Sequence, residues 1–154
     1  MKIYLASDHA GVELKEKVKK FLIEKGHDVD DKGAHRFDPE DDYPDFILPA
    51  AEAVAQDAGS RGIVFGGSGQ GEAMAANRVR GIRAAVFYGG RWVGSADRVI
   101  RLSRDHNDAN VLSIGARFVE FDAACRAIEL WLKTPFSRDE RHLRRIRKID
   151  EGVK

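Results

Sequence analysis

The feature that most restricts the fold of this chain is a glycine-rich turn between an apolar run and a helix-forming run. Residues 63–65 (IVF) form a short β-type run, four glycines and a serine follow at 66–71, and Glu72 begins a helix-favouring segment. This order predicts a strand, a loop and a helix. Because glycine lets backbone amides approach a ligand and a helix start offers unpaired N–H groups, the loop suits negative charge.

Two well-known phosphate-binding loops do not fit this turn. The P-loop spacing is met by Gly66 and Gly71, but Glu72 stands where the phosphate-binding lysine belongs. The dinucleotide pattern is met by Gly67 and Gly69, but its third glycine is again Glu72. A carboxylate beside an anion-stabilising loop suggests a general base whose product oxyanion is held by the loop. The alternative is that Glu72 is only a first-turn acid that favours the helix.

Strand-like and helix-like runs alternate along the whole chain. The predicted strands cover residues 2–6, 28–31, 63–65, 82–87 and 110–114. The predicted helices cover 12–26, 44–59, a run from Glu72, 92–104 and 118–132, with a last helix capped by Ser137. This alternation indicates a parallel five-stranded sheet covered by helices on both faces. We therefore expect one three-layer α/β/α, Rossmann-like domain over residues 1–154, ending in a C-terminal helix.

Composition excludes several classes of protein. The net charge of +1 gives no overall attraction to nucleic acid or to a membrane surface. The single Cys125 cannot form an intrachain disulfide and is expected to be a small buried residue in a reducing compartment. The apolar run at the N-terminus is too short for a signal peptide, and no stretch approaches the ~18 apolar residues of a membrane span. We therefore expect a cytoplasmic protein.

Polar residues follow the first strand directly. Asp8 and His9 come after residues 2–6, and the glycine loop follows the third strand. Since ligands of parallel sheets gather outside the carboxyl ends of the strands, we expect both features at one edge. Asp8 could alternatively cap the next helix and leave His9 exposed.

A second polar pair precedes the fifth strand. His106 and Asn107 enter that strand, and this edge of a parallel sheet is opposite the exit from the third strand. A histidine in such a loop is either solvated or faces another chain. If His106 works with Glu72, it must come from a second subunit, which predicts a homodimer with shared sites, possibly within a higher oligomer.

The C-terminal helix concentrates positive charge. Arg141 and Arg145 are four residues apart and share a face that could clamp one phosphate, although a solvated face is the alternative. A nucleic-acid surface is less favoured because few aromatic residues are interleaved. Arg117 could join a phosphate site or lie on the surface. No spacing resembles a metal site, and we interpret Asp41 and Asp42 as loop acids.

Six motifs in order resemble the ribose-5-phosphate isomerase B family, which also includes galactose-6-phosphate and allose-6-phosphate isomerases. They are SDHAG at 7–11, DYP at 42–44, GGSGQGEAMAANR at 66–78, GIRAA at 81–85, SRDHNDANVLSIGAR at 103–117 and RHLRRI at 141–146. The resemblance implies a dimeric α/β/α domain that interconverts aldose and ketose phosphates without a metal or cofactor.

The resemblance also implies roles for individual residues. The implied catalytic residues are Glu72 as base, His106 as the acid that opens the sugar ring, and Ser68, which helps hold the substrate beside the base. The implied substrate contacts are Asp8, His9, Asn107, Arg117, Arg141 and Arg145, with Gly67, Ser68, Gly69, Gln70 and Gly71 as an anion hole. One branch of the family uses a cysteine base at the position of Gly66, whereas this chain matches the branch with Glu72.

Ribose 5-phosphate and ribulose 5-phosphate are the default substrate pair. The segment between Phe87 and Arg104 is longer than is usual in the family, which leaves a tetrose or hexose phosphate as an alternative substrate. A non-catalytic sugar-phosphate sensor is a further alternative, because binding alone needs only the loop and the arginines.

Overall fold

The computed structural model describes residues 1–89 and 95–152. Strands and helices alternate along these residues as the sequence predicts. The strands are β1 (Lys2–Ser7), β2 (Asp28–Asp31), β3 (Arg61–Gly66), β4 (Ala84–Phe87) and β5 (Val111–Gly115). The helices are α1 (Val12–Glu24), α2 (Pro44–Gln56), α3 (Gln70–Ala76), α4 (Ser95–Asp105), α5 (Phe121–Lys133) and α6 (Glu140–Gly152).

The strands form one parallel sheet in the order β2-β1-β3-β5-β4. The chain moves from β1 outward to β2 and then returns to the other side of β1 with β3, so strand order reverses between β1 and β3. In open parallel sheets a crevice opens at such a reversal. Register brings the exits of these strands level, with Ser7 beside Phe65 and Gly66 beside Gly115. The predicted parallel five-stranded α/β fold is confirmed.

Alternating side chains of the central strands build a core on each face of the sheet. Ile63 and Phe65 of β3 join a cluster with residues of α1 and α5, including the fully buried Trp131. Val64 points to the other face, where Ile47 and other residues of α2 pack. Strands that are apolar on both faces are expected in a parallel sheet covered by two helical layers. The exits of β1 and β3 are thereby held in fixed relation.

Several predicted element boundaries differ from the observed ones. Ser137 does not cap the last helix, because its hydroxyl donates to the Asp105 carbonyl at 2.7 Å and Arg138 has a positive φ of 61°. Helix α6 therefore begins only at Glu140. Helix α4 is described from Ser95, and the predicted start at Trp92 lies among residues 90–94, outside the described residues.

The loop before β5 also differs from the prediction. The sequence predicts that Asn110 begins the strand, but β5 begins at Val111. The Asn110 side chain accepts a hydrogen bond from the Arg83 amide and donates one to the Gly81 carbonyl, both at 2.8 Å. Among the described helices, none is both long enough and apolar enough to cross a membrane.

Candidate functional site

Strand β5 holds the glycine loop in place. The Ser113 hydroxyl donates to the carbonyl of Gly69 at 2.6 Å, and the amide of Ala116 donates to the carbonyl of Gly66 at 2.8 Å. Gly69 has a positive φ of 77°, and an added Cβ would lie 3.1 Å from the Gly115 nitrogen, so glycine suits this turn on both grounds. The loop carbonyls are thus used by β5. The loop reaches α3 at Gln70, within the predicted anion hole.

Glu72 is buried in the first turn of α3, with 4% of its surface exposed. Its carboxylate lies against Gly66, where an added Cβ would overlap the carboxylate atoms. Burial raises the pKa of Glu72, and the negative charge of Asp8 raises it further, against the opposing hydrogen bond of its own backbone amide. A carboxylate with raised proton affinity is a more effective general base.

Asp8 holds the turn that leads from β1 into α1. Its Oδ1 accepts hydrogen bonds from the amides of Ala10 at 3.0 Å and Gly11 at 3.2 Å, both of which precede the helix. The helix-cap alternative for Asp8 is therefore wrong, because Gly11 occupies the N-cap position and no side chain caps α1. Gly11 packs directly on Phe65 of β3, where a Cβ would lie 2.6 Å from the Phe65 Cβ. The close packing brings the exits of β1 and β3 together, and with them Asp8 and Glu72.

His9 is hydrogen-bonded to Asp41, a contact that the sequence did not predict. The Asp41 Oδ1 lies 2.6 Å from His9 Nδ1 and also accepts the His9 backbone N–H at 3.2 Å. Asp41 lies in a loop, as interpreted from the sequence, but only 8% of its side chain is exposed. The hydrogen bond to Asp41 raises the pKa of His9, and the negative charge of Asp8 adds to the effect. Ligand atoms of Asp8, His9 and Asp41 lie within 4.8 Å of one another, and we assign this cluster to hydrogen bonding.

Arg117 extends from the exit of β5 over the loop. Its amide donates to the carbonyl of Gly67 at 3.1 Å, and its guanidinium lies so near that a Cβ on Gly67 would be 3.2 Å from Cζ. Its positive charge also acts on His9. Ser68 is exposed, and its Oγ accepts a hydrogen bond from the Gln70 amide at 3.3 Å. The carboxyl edge of the sheet therefore gathers Glu72, the glycine loop, Arg117 and His9.

A second group of predicted site residues lies at the amino edge. His106 stacks on His142 of α6, with ring centroids 4.3 Å apart and planes 16° from parallel. Burial lowers the pKa of His142, and the neighbouring His106 and then Arg141 lower it further. The sequence analysis missed His142. Its spacing of four from Ile146 marks the buried face of α6 and could have indicated it.

The phosphate-binding candidates of α6 lie on the exposed side of that helix. Arg141 and Arg145 are exposed, and Arg141 lies 3.7 Å from the carboxylate of Asp139. Asn107, which follows His106 in the sequence, is also exposed. Val111 pairs with Gly62 and Gly115 with Gly66, so four residue steps separate the two edges, roughly 13 Å at the usual rise of a strand. One chain does not bring these residues to Glu72.

Sequence comparison identifies the family. Residues 3–149 match the model of the Ribose/Galactose Isomerase family. The chain belongs to this family. It is 42% identical over 146 residues to ribose-5-phosphate isomerase B of Mycobacterium tuberculosis (strain H37Rv), covering 95% of this chain and 86% of that protein.

Solved structures of Ribose/Galactose Isomerase family members are similar. Ribose-5-phosphate isomerase B of Clostridium thermocellum is 44% identical with a TM-score of 0.87, over 98% of this chain and 96% of that one. The enzyme of Mycoplasma genitalium, solved with bound ribulose-5-phosphate, is 37% identical with a TM-score of 0.88, over 97% and 94% of the two chains.

Within this family, positions 66 and 72 are physically linked in the present chain. A side chain at position 66 would occupy the space that the Glu72 carboxylate fills. A basic side chain can therefore occupy this space from position 66 or from position 72. The space does not hold a side chain at position 66 together with the carboxylate of Glu72. The glycine at 66 is the residue that leaves room for Glu72. Residues 90–94 of the longer segment between Phe87 and Arg104 lie outside the described residues.

Proposed function

We propose that the protein is an aldose–ketose isomerase that interconverts ribose 5-phosphate and ribulose 5-phosphate. The observation that carries this proposal is the buried carboxylate of Glu72, with its raised pKa, beside a glycine loop at the carboxyl edge of the sheet. Family membership supports the reaction class. The ribulose-5-phosphate in the Mycoplasma genitalium structure supports the pentose phosphate as substrate.

The reaction needs one base that works on two adjacent carbons. Glu72 removes the proton from C2 of the opened aldose, and the electron pair left behind forms the C1–C2 double bond of an enediolate. The C2 hydroxyl gives its proton to the oxygen on C1, so that the negative charge moves to the oxygen on C2. The same carboxyl group then returns its proton to C1, the C1–C2 double bond becomes a single bond, and the oxygen on C2 becomes the ketose carbonyl. Loop N–H groups stabilise the enediolate oxygen, and one well-placed donor of this kind is typically worth ~2.7–4 kcal/mol. No redox partner is consumed.

A second copy of the chain supplies the remaining groups. His106 is proposed to donate the proton that opens the sugar ring, with Asn107 beside it, while Arg141 and Arg145 bind the phosphate. The separation of these residues from Glu72 within one chain supports a homodimer with shared sites. Apolar side chains available for an interface lie near both groups, because Met74 of α3 is 66% exposed and Ile149 of α6 is 49% exposed.

The proposed compartment is the cytoplasm. Burial raises the pKa of the Cys125 thiol to about 11, so this cysteine is protonated and inert at neutral pH. A buried, unpaired thiol is in keeping with a reducing environment.

Glu72→Gln tests the proposed base. The amide keeps the shape of the side chain but cannot accept the substrate proton, so kcat should fall by ~10²–10⁴-fold. Exchange of the C2 proton with solvent, followed by NMR, should fall in parallel, while calorimetry should still detect ribulose 5-phosphate binding. Glu52→Gln on the exposed side of α2 is the matched control and should retain full turnover. Unchanged turnover in Glu72→Gln would remove Glu72 as the base.

A substrate panel tests the sugar. Purified protein should turn over ribose 5-phosphate with a higher kcat/KM than tetrose or hexose phosphates. A preference for another sugar phosphate would move the activity within the family. Absence of turnover with binding retained would identify a sensor.

A further inference from the structure

The contact between Asp41 and His9 has no place in the reaction described above. Asp41 lies in the segment between β2 and α2, 32 residues from His9, and its Oδ1 meets both the backbone N–H and the ring Nδ1 of His9. The backbone bond alone would tie the two segments together. The hydrogen bond between His9 Nδ1 and Asp41 Oδ1, at 2.6 Å, also places the carboxylate charge directly beside the imidazole ring.

The surroundings of His9 favour the charged form of its ring. Two carboxylates raise its pKa, Asp41 chiefly by hydrogen bond and Asp8 through space, against burial of the ring and the guanidinium of Arg117, which lower it. The edge of the ring meets Phe37 at 5.9 Å between centroids, an uncharged neighbour. The balance of these groups raises the pKa of His9.

Asp41 has little else to bond to. Its side chain is 8% exposed, and its second oxygen, Oδ2, is buried without a hydrogen-bond partner among the described residues. A buried carboxylate whose main polar partner is an imidazole is most stable when that imidazole carries a proton on the facing nitrogen. Asp41 therefore fixes the orientation of the ring and favours a proton on its Nδ1.

We propose that Asp41 is a positioning residue that holds His9 as an imidazolium, with Nδ1–H donating to the Asp41 carboxylate and Nε2–H free to donate to the sugar phosphate. This inference deepens the proposed function and rests on it for the identity of the substrate. Glu72 carries out the proton transfer, so Asp41 acts on substrate binding and not on the chemical step.

The proposal fixes the sign of a pH effect. Asp41→Asn keeps an oxygen for the Nδ1–H bond but removes the negative charge, so the pKa of His9 falls. Below the pKa of the variant both proteins carry the charged ring and bind alike. Between the two pKa values only the wild type does, and above the raised pKa neither does. Because only the charged ring binds the phosphate in this proposal, the ratio of KM in Asp41→Asn to KM in wild type should be one at low pH, rise between the two pKa values and then level off at about tenfold.

The experiment combines NMR and kinetics. The His9 ring is titrated by NMR in the wild type and in Asp41→Asn without substrate, and KM and kcat for ribose 5-phosphate are measured from pH 5.5 to 9. We expect a His9 pKa above the ordinary value in the wild type and a clear fall in the variant, with kcat changed less than twofold. Asp42→Asn, at the exposed neighbouring acid, is the matched control and should match wild type throughout.

Two results would overturn the proposal. One is a His9 pKa in the wild type at or below its ordinary value, which needs no variant and so does not depend on how Asp41→Asn folds. The other is a KM ratio that does not change with pH, which is what a purely structural role predicts. A wild type without turnover would contradict the proposed function, while the titration would still decide the role of Asp41.

Discussion

The two edges of the sheet shift the pKa of a histidine in opposite directions. At the carboxyl edge, the hydrogen bond that His9 makes to the Asp41 carboxylate raises the pKa of His9, so a positive charge is favoured there. At the amino edge, burial lowers the pKa of His142, which favours a neutral ring stacked on His106. The charge state that each histidine favours thus depends on the groups that surround it. One edge favours the charged form of its histidine, and the other favours a neutral ring that stacks on a second histidine.

In the proposed mechanism neither edge is a complete active site. The carboxyl edge would supply the base and the anion loop, and the amino edge would supply the ring-opening acid and the exposed arginines of α6. The comparison can be tested by asking whether the edges of different chains cooperate.

Mixing two inactive variants gives the largest expected effect. Glu72→Gln and His106→Asn each disable one edge. In the proposed dimer each site takes Glu72 from one chain and His106 from the other. A mixed dimer would then hold one site with both defects and one site with neither. After random subunit exchange at equal amounts, about a quarter of wild-type kcat should return, from losses that general acid–base catalysis puts at ~10²–10⁴-fold.

The control for this mixture pairs two variants of the same edge. Glu72→Gln mixed with Gly66→Ala leaves every site with a damaged carboxyl edge, so activity should not exceed that of the better variant. If the first mixture also stays inactive, the edges do not come from different chains.

Gly66→Ala should separate activity from stability. The added methyl group overlaps the Glu72 carboxylate, which is the end of a flexible side chain and can move aside. The fold should therefore survive, while a displaced base should cost about 10²-fold in kcat. The matched control is Gly62→Ala on the same strand, where a Cβ would meet methyl groups of Val111 and Val54 at 3.0–3.1 Å. That variant should lower Tm and leave kcat intact, and the reverse pattern would contradict our placement of Glu72.

His142→Phe should give the smallest effect and sharpen the contrast between the histidines. Because the pKa of His142 is lowered in the folded state, the unfolded chain binds more protons, and acidification below the ordinary histidine pKa costs stability. Phenylalanine keeps a stacked ring without this cost. Thermal unfolding should therefore show a smaller fall in Tm between pH 7.5 and 5.5 than in the wild type, and an equal fall in both proteins would contradict the assignment.

Much of the fold was predictable because its signals are local. The apolar run at 63–65, the glycines after it and the helix-forming residues from Glu72 define a β-loop-α unit without any long-range information. The position of His106 opposite Glu72 also followed from strand direction alone. Parallel topology fixes which edge a residue enters, so the prediction of a divided site needed no coordinates.

The remaining features depend on contacts between distant segments. Asp41 stands in a run of acids with no periodicity, and only the folded chain shows that it meets His9. Ser137 has the composition of a helix cap, but tertiary contact diverts its hydroxyl to the Asp105 carbonyl. The role of Gly66 was likewise hidden, since a glycine in a loop does not reveal which side chain fills the space it leaves.

In the proposed dimer, the two ends of strand β5 belong to two different reaction centres. Its exit grips the glycine loop through the Ser113 hydroxyl and the amide of Ala116, and its entry follows His106, which would serve the partner's reaction centre. A single five-residue segment would then connect two reaction centres. Strand β5 would therefore be a short mechanical connection between the two reaction centres. Cooperativity transmitted through it would be measured as a Hill coefficient different from one.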